Sequence, residues 1–106
     1  MPVIKLFTAQ AVTVDTAEAL AQELELLCTG PLRAQPSAIQ IVLMQAVSPR
    51  GAAVLLEAHY RDQPYRDGQA LAAFMDGAEQ AVRRHLGTVP RIRCFAIDQA
   101  TLHARH

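Results

Sequence analysis

Apolar residues recur along this chain with two different periods, and the switching between them predicts a repeated layout. At the start, Val3, Ile4, Leu6 and Phe7 surround one charged position, Lys5, which predicts a short strand over residues 3–9 that is apolar on both faces. A strand of that kind expects cover on both sides. A helical period follows, with Ala17, Leu20, Ala21, Leu24, Leu27 and Cys28 returning every three or four residues. Asp15, with Glu18 three positions on, has the spacing of a capping box, and Gly30-Pro31 stops the helix after about Cys28. Residues 38–47 are rich in β-branched side chains and predict a second strand; Ser48-Pro49-Arg50-Gly51 is a turn, and 52–60 predict a third strand with Val54, Leu56, Ala58 and Tyr60 on one face. A polar connection, Arg61 to Gly68, leads into a second amphipathic helix with Leu71, Phe74, Met75, Ala78, Val82 and Leu86 along one side. Gly87 ends it behind Arg83, Arg84 and His85, whose positive charge suits the carboxyl end of a helix dipole. Gly77 inside this helix costs about 1 kcal/mol against alanine, which points to a close backbone approach there. Residues 91–98 predict a fourth strand, and Gln99 to His106 form a polar tail.

The order is therefore β-α-β followed by β-α-β, in two similar halves of about 1–50 and 51–106 within a single domain, 1–106. The fold class is α/β (α+β): a duplicated β-α-β unit making a four-stranded mixed sheet with two helices on one face. Crossovers of this type are right-handed. The second strand carries Val42, Met44 and Ala46 on one face and Ile39, Ile41 and Leu43 on the other, and two helices on one side leave the other side bare. A contiguous apolar face of that extent marks an interface, so a homo-oligomer is expected.

Composition narrows the function classes. The 106 residues suffice for one domain, and 51% hydrophobic content suffices for a core. Ten basic residues balance ten acidic ones, which removes the electrostatic footprint of a nucleic-acid or anionic-membrane binder. No apolar run approaches the roughly 18 residues that span a membrane. Cys28 and Cys94 lie far apart without a C-x-x-C spacing or a secretory segment, so the expectation is a cytoplasmic protein with reduced thiols. Both sit in apolar patterns and read as small core residues. His103 and His106 share a spacing but no further ligand, which makes the tail a poor metal site.

Two features carry candidate chemistry. Pro2 directly follows the initiator methionine, and trimming of Met1 would turn its nitrogen into a free secondary amine at the head of a strand, a position open to proline. With Met1 in place the same nitrogen is an amide without useful basicity. Arg66 lies just before the second helix, in Tyr65-Arg66-Asp67-Gly68-Gln69; it reads either as an anchor for a carboxylate or as a surface partner of Asp62 or Asp67, where such pairs contribute little. Arg61 reads as a solvated loop residue in the absence of a ligand. Glu57 and His59 share one face of the third strand and point to a pocket or a subunit interface. Tyr60 and Tyr65 read as packing residues with a wet hydroxyl.

The Met1-Pro2 start running at once into an apolar strand, the duplicated β-α-β unit and the Arg66 context together resemble the tautomerase superfamily. Within it, chain length and the surroundings of Arg66 look most like the 5-carboxymethyl-2-hydroxymuconate isomerases, with the macrophage migration inhibitory factor group more distant. The resemblance implies a homotrimer and a cofactor-independent isomerase acting on a small carboxylate. In it Pro2 is the general base, and Arg66, together with Arg61 or Arg33, holds the substrate carboxylate. The isomerases carry basic residues in the strand after the first helix, where this chain has Gln40 and Val42, which weakens the case for a dicarboxylate. Arg33 substitutes for them only if its loop folds back. Two alternatives stand beside this reading. One is a protein of the same fold without the activity. The other is a ferredoxin-like dimeric ligand-binding or monooxygenase-like module, which has the same element order but separates the two strands of each unit by another strand.

Overall fold

A computed structural model describes residues 1–106. Four strands and two helices follow the expected order: β1 (Val3–Thr8), α1 (Val14–Thr29), β2 (Gln40–Gln45), β3 (Val54–Arg61), α2 (Gly68–Leu86) and β4 (Arg91–Ile97). In the sheet order β2-β1-β3-β4, β1 pairs with β2 in parallel, β3 with β4 in parallel, and β1 meets β3 antiparallel at the centre. The two strands of each unit are thus direct neighbours, which excludes the ferredoxin-like arrangement.

Both helices lie on one face. Beneath them the inward residues of the central strands, Ile4, Leu6, Val54, Leu56 and Ala58, meet Leu20, Leu24 and Cys28 of α1 and Phe74, Ala78 and Val82 of α2 in one buried cluster. Where the helices approach each other, a Cβ built on Gly77 would lie 2.5 Å from Cδ2 of Leu27, so the glycine marks the close approach its position in the helix predicts. Gly87 closes α2 in the left-handed region at φ 69°, its N–H donating to the Arg83 carbonyl at 3.0 Å.

Two local expectations change. The cap of α1 is Thr13 rather than Asp15: its hydroxyl accepts from the Thr16 N–H at 3.1 Å, the helix begins two residues early, and Asp15 falls in the first turn, where its charge still suits the dipole. The second strand is shorter than 38–47, because Pro36 starts a single 3₁₀ turn through Ala38 and delays the ladder to Gln40. The helix-free face of the sheet presents Val3, Lys5 and Phe7 of β1, Val42 and Met44 of β2, Leu55, Glu57 and His59 of β3, and Arg93 and Phe95 of β4. Met44 and Phe95 are 37% and 44% exposed there.

Candidate active site

Pro2 occupies the position just before β1, on the helix-covered side. Its ring is buried, its carbonyl accepts from the Gln40 N–H at 3.0 Å, and continuing the β1–β3 register by one residue sets it opposite Tyr60. A further step sets Met1 opposite Arg61, at the end of β3. The amino group of the chain feels that company: its pKa lies below the ordinary α-amine value, first because burial disfavours the ammonium and then because the Arg61 and Arg66 guanidinium groups repel it. The amino terminus, Arg61 and Arg66 are therefore brought together by the meeting of β1 and β3 and by the loop that leads into α2.

Arg66 turns inward. It is 7% exposed, Nε donates to the Leu32 carbonyl and Nη1 to the Arg61 carbonyl, each at 2.8 Å. It pairs with neither Asp62 nor Asp67, because Asp67 is engaged as the cap of α2, accepting from the Ala70 N–H at 3.0 Å, while the two carbonyls satisfy the guanidinium in the interior. Arg61 is half-buried; its Nε is shut away from solvent and has no hydrogen-bond partner, so it offers a donor that the chain itself does not use. Arg33 is exposed and adopts φ 52°, a left-handed conformation that costs a non-glycine residue about 1–2 kcal/mol. Its loop does fold back: the Ala34 N–H reaches the Cys28 carbonyl at 2.9 Å, and the Arg33 guanidinium lies 5.3 Å from the centre of the Tyr65 ring. The guanidinium of Arg66 lies 5.4 Å from the centre of the same ring. None of the three arginines takes part in any of the ion pairs of the chain.

Tyr65 thus serves as a platform for two cations, a role the sequence reading did not assign; the signal was an aromatic residue immediately before Arg66 in an otherwise polar loop. Tyr60 is 3% exposed, and burial, then Cys94 and Asp62, push its hydroxyl to a higher pKa, so it stays protonated at neutral pH beside Pro2. Cys28, behind Leu32, is a core thiol pushed up to about 12 by burial, and both cysteines are free. The Glu57–His59 pair lies on the opposite, helix-free face, with Oε1 and Nε2 2.9 Å apart and the imidazole stacked on Phe95 at 4.8 Å. That places the pair away from the helix-covered side that holds Pro2. A cavity of about 320 Å³ opens at the far end of the sheet, between the ends of β1 and β2 and the 46–53 loop; Glu57 lines it, while Pro2 and the three arginines do not.

No family model matches the sequence, and no curated protein does. Solved structures do. A fused 4-OT wild type symmetric trimer superposes with a TM-score of 0.82 at 19% identity, over 96% of this chain and 90% of that one. The macrophage migration inhibitory factor of Toxoplasma gondii matches with a TM-score of 0.80 at 14% identity, over 96% and 95%. The migration inhibitory factor-like protein of Entamoeba histolytica gives 0.82 at 10% identity, over 99% and 96%. At these identities what is shared is the backbone. The duplicated β-α-β chain with its β2-β1-β3-β4 sheet has the fold of the tautomerase superfamily.

Proposed function

We propose that this protein is a cofactor-independent keto-enol tautomerase or isomerase of a small 2-oxo or 2-hydroxy-unsaturated carboxylate, with Pro2 as general base and the arginines as the carboxylate site. The observation that carries this reading is the amino group itself, held below its ordinary pKa by burial and by two guanidinium groups that have no carboxylate partner. An amine in that setting gives up its proton more readily than an ordinary α-amine, and a neutral secondary amine takes up a proton. Removal of Met1 moves the free amine one residue inward, from a half-buried methionine to a buried proline.

In the reaction so read, the Pro2 nitrogen removes a proton from the 2-hydroxyl or the α-carbon and returns it along the conjugated system. The free donors of Arg61, and the face of Arg66 not committed to carbonyls, hold the carboxylate and stabilise the charge that gathers on the neighbouring oxygen. The helix-free sheet face, with Met44 and Phe95 exposed, supports a homo-oligomer, and a trimer is the assembly named for the fused 4-OT structures of the same fold. The two free thiols fit a reducing, cytoplasmic setting.

Ultraviolet absorbance during conversion of phenylenolpyruvate or 2-hydroxymuconate tests the reading. Inserting an alanine between Met1 and Pro2 turns the proline nitrogen into an amide and should remove the contribution of a general base, about 10²–10⁴-fold. A variant with that insertion as active as the parent would refute the assignment of Pro2. Pro2→Ala, which keeps an amine but loses the fixed ring, should fall between the two.

A further inference from the structure

We infer that the helix-free sheet face is a proton-sensitive contact between copies of this chain, and that His59 loosens the assembly when it takes up a proton. The inference rests on the homo-oligomer reading of that face and adds its regulation. The face is apolar at its margins and charged along one row. The strand register sets Lys5 of β1, Glu57 of β3 and Arg93 of β4 side by side across its middle, and β2 brings only Gln40, Val42 and Met44. Glu57 is thus the single carboxylate on this face, and it stands between two permanent cations. His59 follows two residues on, its Nε2 2.9 Å from Oε1 of Glu57 and its ring stacked on Phe95 at 4.8 Å between centres. The side chains of the pair are only 24% and 26% exposed, so a second copy seated on the face removes the little water they still meet.

Hydrogen-bond chemistry gives the switch its sign. A carboxylate only accepts, so the proton of a neutral imidazole sits on Nε2, and Nδ1 is an acceptor with no partner inside the chain. Apart from Glu57, the charged groups around the ring are all cationic: Lys5 and the amino terminus from the β1 side, Arg61 on its own strand and Arg93 on β4. A neutral His59 therefore presents an acceptor among donors, and a second copy of the same face brings donors to meet it. Protonation turns Nδ1 into a donor facing donors and adds one positive charge per copy. A closed symmetric contact brings those like charges together, and they repel more strongly where water is excluded. The Glu57 contact does not offset this, because the neutral ring already makes it and because Lys5 and Arg93 flank the same carboxylate. Histidine changes charge between about pH 5 and 8, so the contact closes above that window and loosens as pH falls through it.

Sedimentation velocity over a protein dilution series, at about pH 8 and about pH 5.5 and one ionic strength, reads the switch directly. The concentration at which the parent assembly half-dissociates should rise about tenfold or more at the lower pH, with the far-ultraviolet circular dichroism spectrum unchanged. His59→Gln, which stays neutral, should hold that concentration within about twofold between the two. His85→Gln should keep the full response, because His85 sits between the helices against Glu23 and away from this face. An assembly indifferent to pH, or a response kept in His59→Gln, overturns the switch and leaves the homo-oligomer standing. A parent that is monomeric at both values across the series overturns the homo-oligomer reading and the switch together. Should His59→Gln fail to assemble at the higher pH, Lys5→Gln decides: with one of the facing donors gone the response should shrink, and an undiminished response overturns the inference.

Discussion

Replacing Arg66 with methionine asks whether one buried guanidinium braces the fold as well as facing a ligand. Its Nε and Nη1 hold the carbonyls of Leu32, behind α1, and Arg61, at the end of β3, each at 2.8 Å, so a single side chain fastens the first half of the chain to the second. Hydrogen bonds from an ionised donor contribute about 1.5–3 kcal/mol each, or about 3–6 kcal/mol for the pair. Against this stands the cost of burying a guanidinium without a carboxylate, several kcal/mol after relaxation. Methionine fills much of the space and removes the charge, yet it leaves two interior carbonyls without a donor, about 1–3 kcal/mol each where water does not reach them. The expected net loss is about 2 kcal/mol, which in a domain of this size lowers Tm by about 8–16 °C. Urea unfolding at fixed protein concentration should show a lower midpoint with an unchanged slope. Arg66→Lys keeps the charge but cannot span both carbonyls, and should fall close to the methionine variant. A methionine or lysine variant as stable as the parent would refute the bracing role and leave Arg66 as a ligand residue only.

Two further predictions concern the helix interface and the amine. Gly77→Ala gains about 1 kcal/mol of helix propensity but drives a Cβ to 2.5 Å from Leu27, so overpacking of about 1–3 kcal/mol should make it a net loss of about 1 kcal/mol. In a Leu27→Ala background the same change should instead stabilise by about 1 kcal/mol, and additive effects in that double-mutant cycle would refute the contact. For the amine, the proposed base is the neutral form, so activity should rise with pH along a limb that lies below that of an ordinary α-amine. Arg61→Met should move that limb upward by removing one of the repelling charges, and an unmoved limb would show that Arg61 does not face the amine. The same depressed pKa makes the amine's contribution to stability fully present above its unfolded value and lost as pH falls through the folded one.

Element order was legible because the apolar periods of β1, α1, β3 and α2 differ sharply, and the bare second face followed from β2 being apolar on both sides. Strand order was not. Two β-α-β units support more than one sheet with the same sequence of elements, and what decides between them is the antiparallel meeting of β1 with β3, a contact between residues about fifty positions apart that leaves no periodic trace. Caps were legible to within half a turn: Thr13 and Asp15 are both acceptable caps, and only the hydroxyl's reach to the Thr16 N–H decides. Pro2 and the three arginines could be picked out as types. That Arg66 turns inward was hidden, since its acceptors are backbone carbonyls, which every residue has, one of them 34 positions away. The return of Arg33 depended on a left-handed residue that arginine rarely adopts.

The duplication also explains why the proposed chemistry sits at one end of the molecule. The rotation that carries β1 onto β3 carries the helix-facing residues Ile4 and Leu6 onto helix-facing residues of β3, and the position of Pro2 onto the entry to β3. There the chain runs on in both directions, so no trimming can free an amine. At that end Gln10 makes a similar contact, its Nε2 donating to the Leu86 carbonyl in the last turn of α2 at 3.2 Å, much as Arg66 donates to Leu32 behind α1. The amide makes the same brace without charge. What opens there is the apolar cavity beside Phe7, Val47, Pro49 and Leu55. Both ends therefore solve the same structural problem of holding a carbonyl at the foot of a helix. One end does so with a residue that carries a permanent charge, and a buried cation without a counter-ion is worth its cost to the fold where an anion comes to meet it.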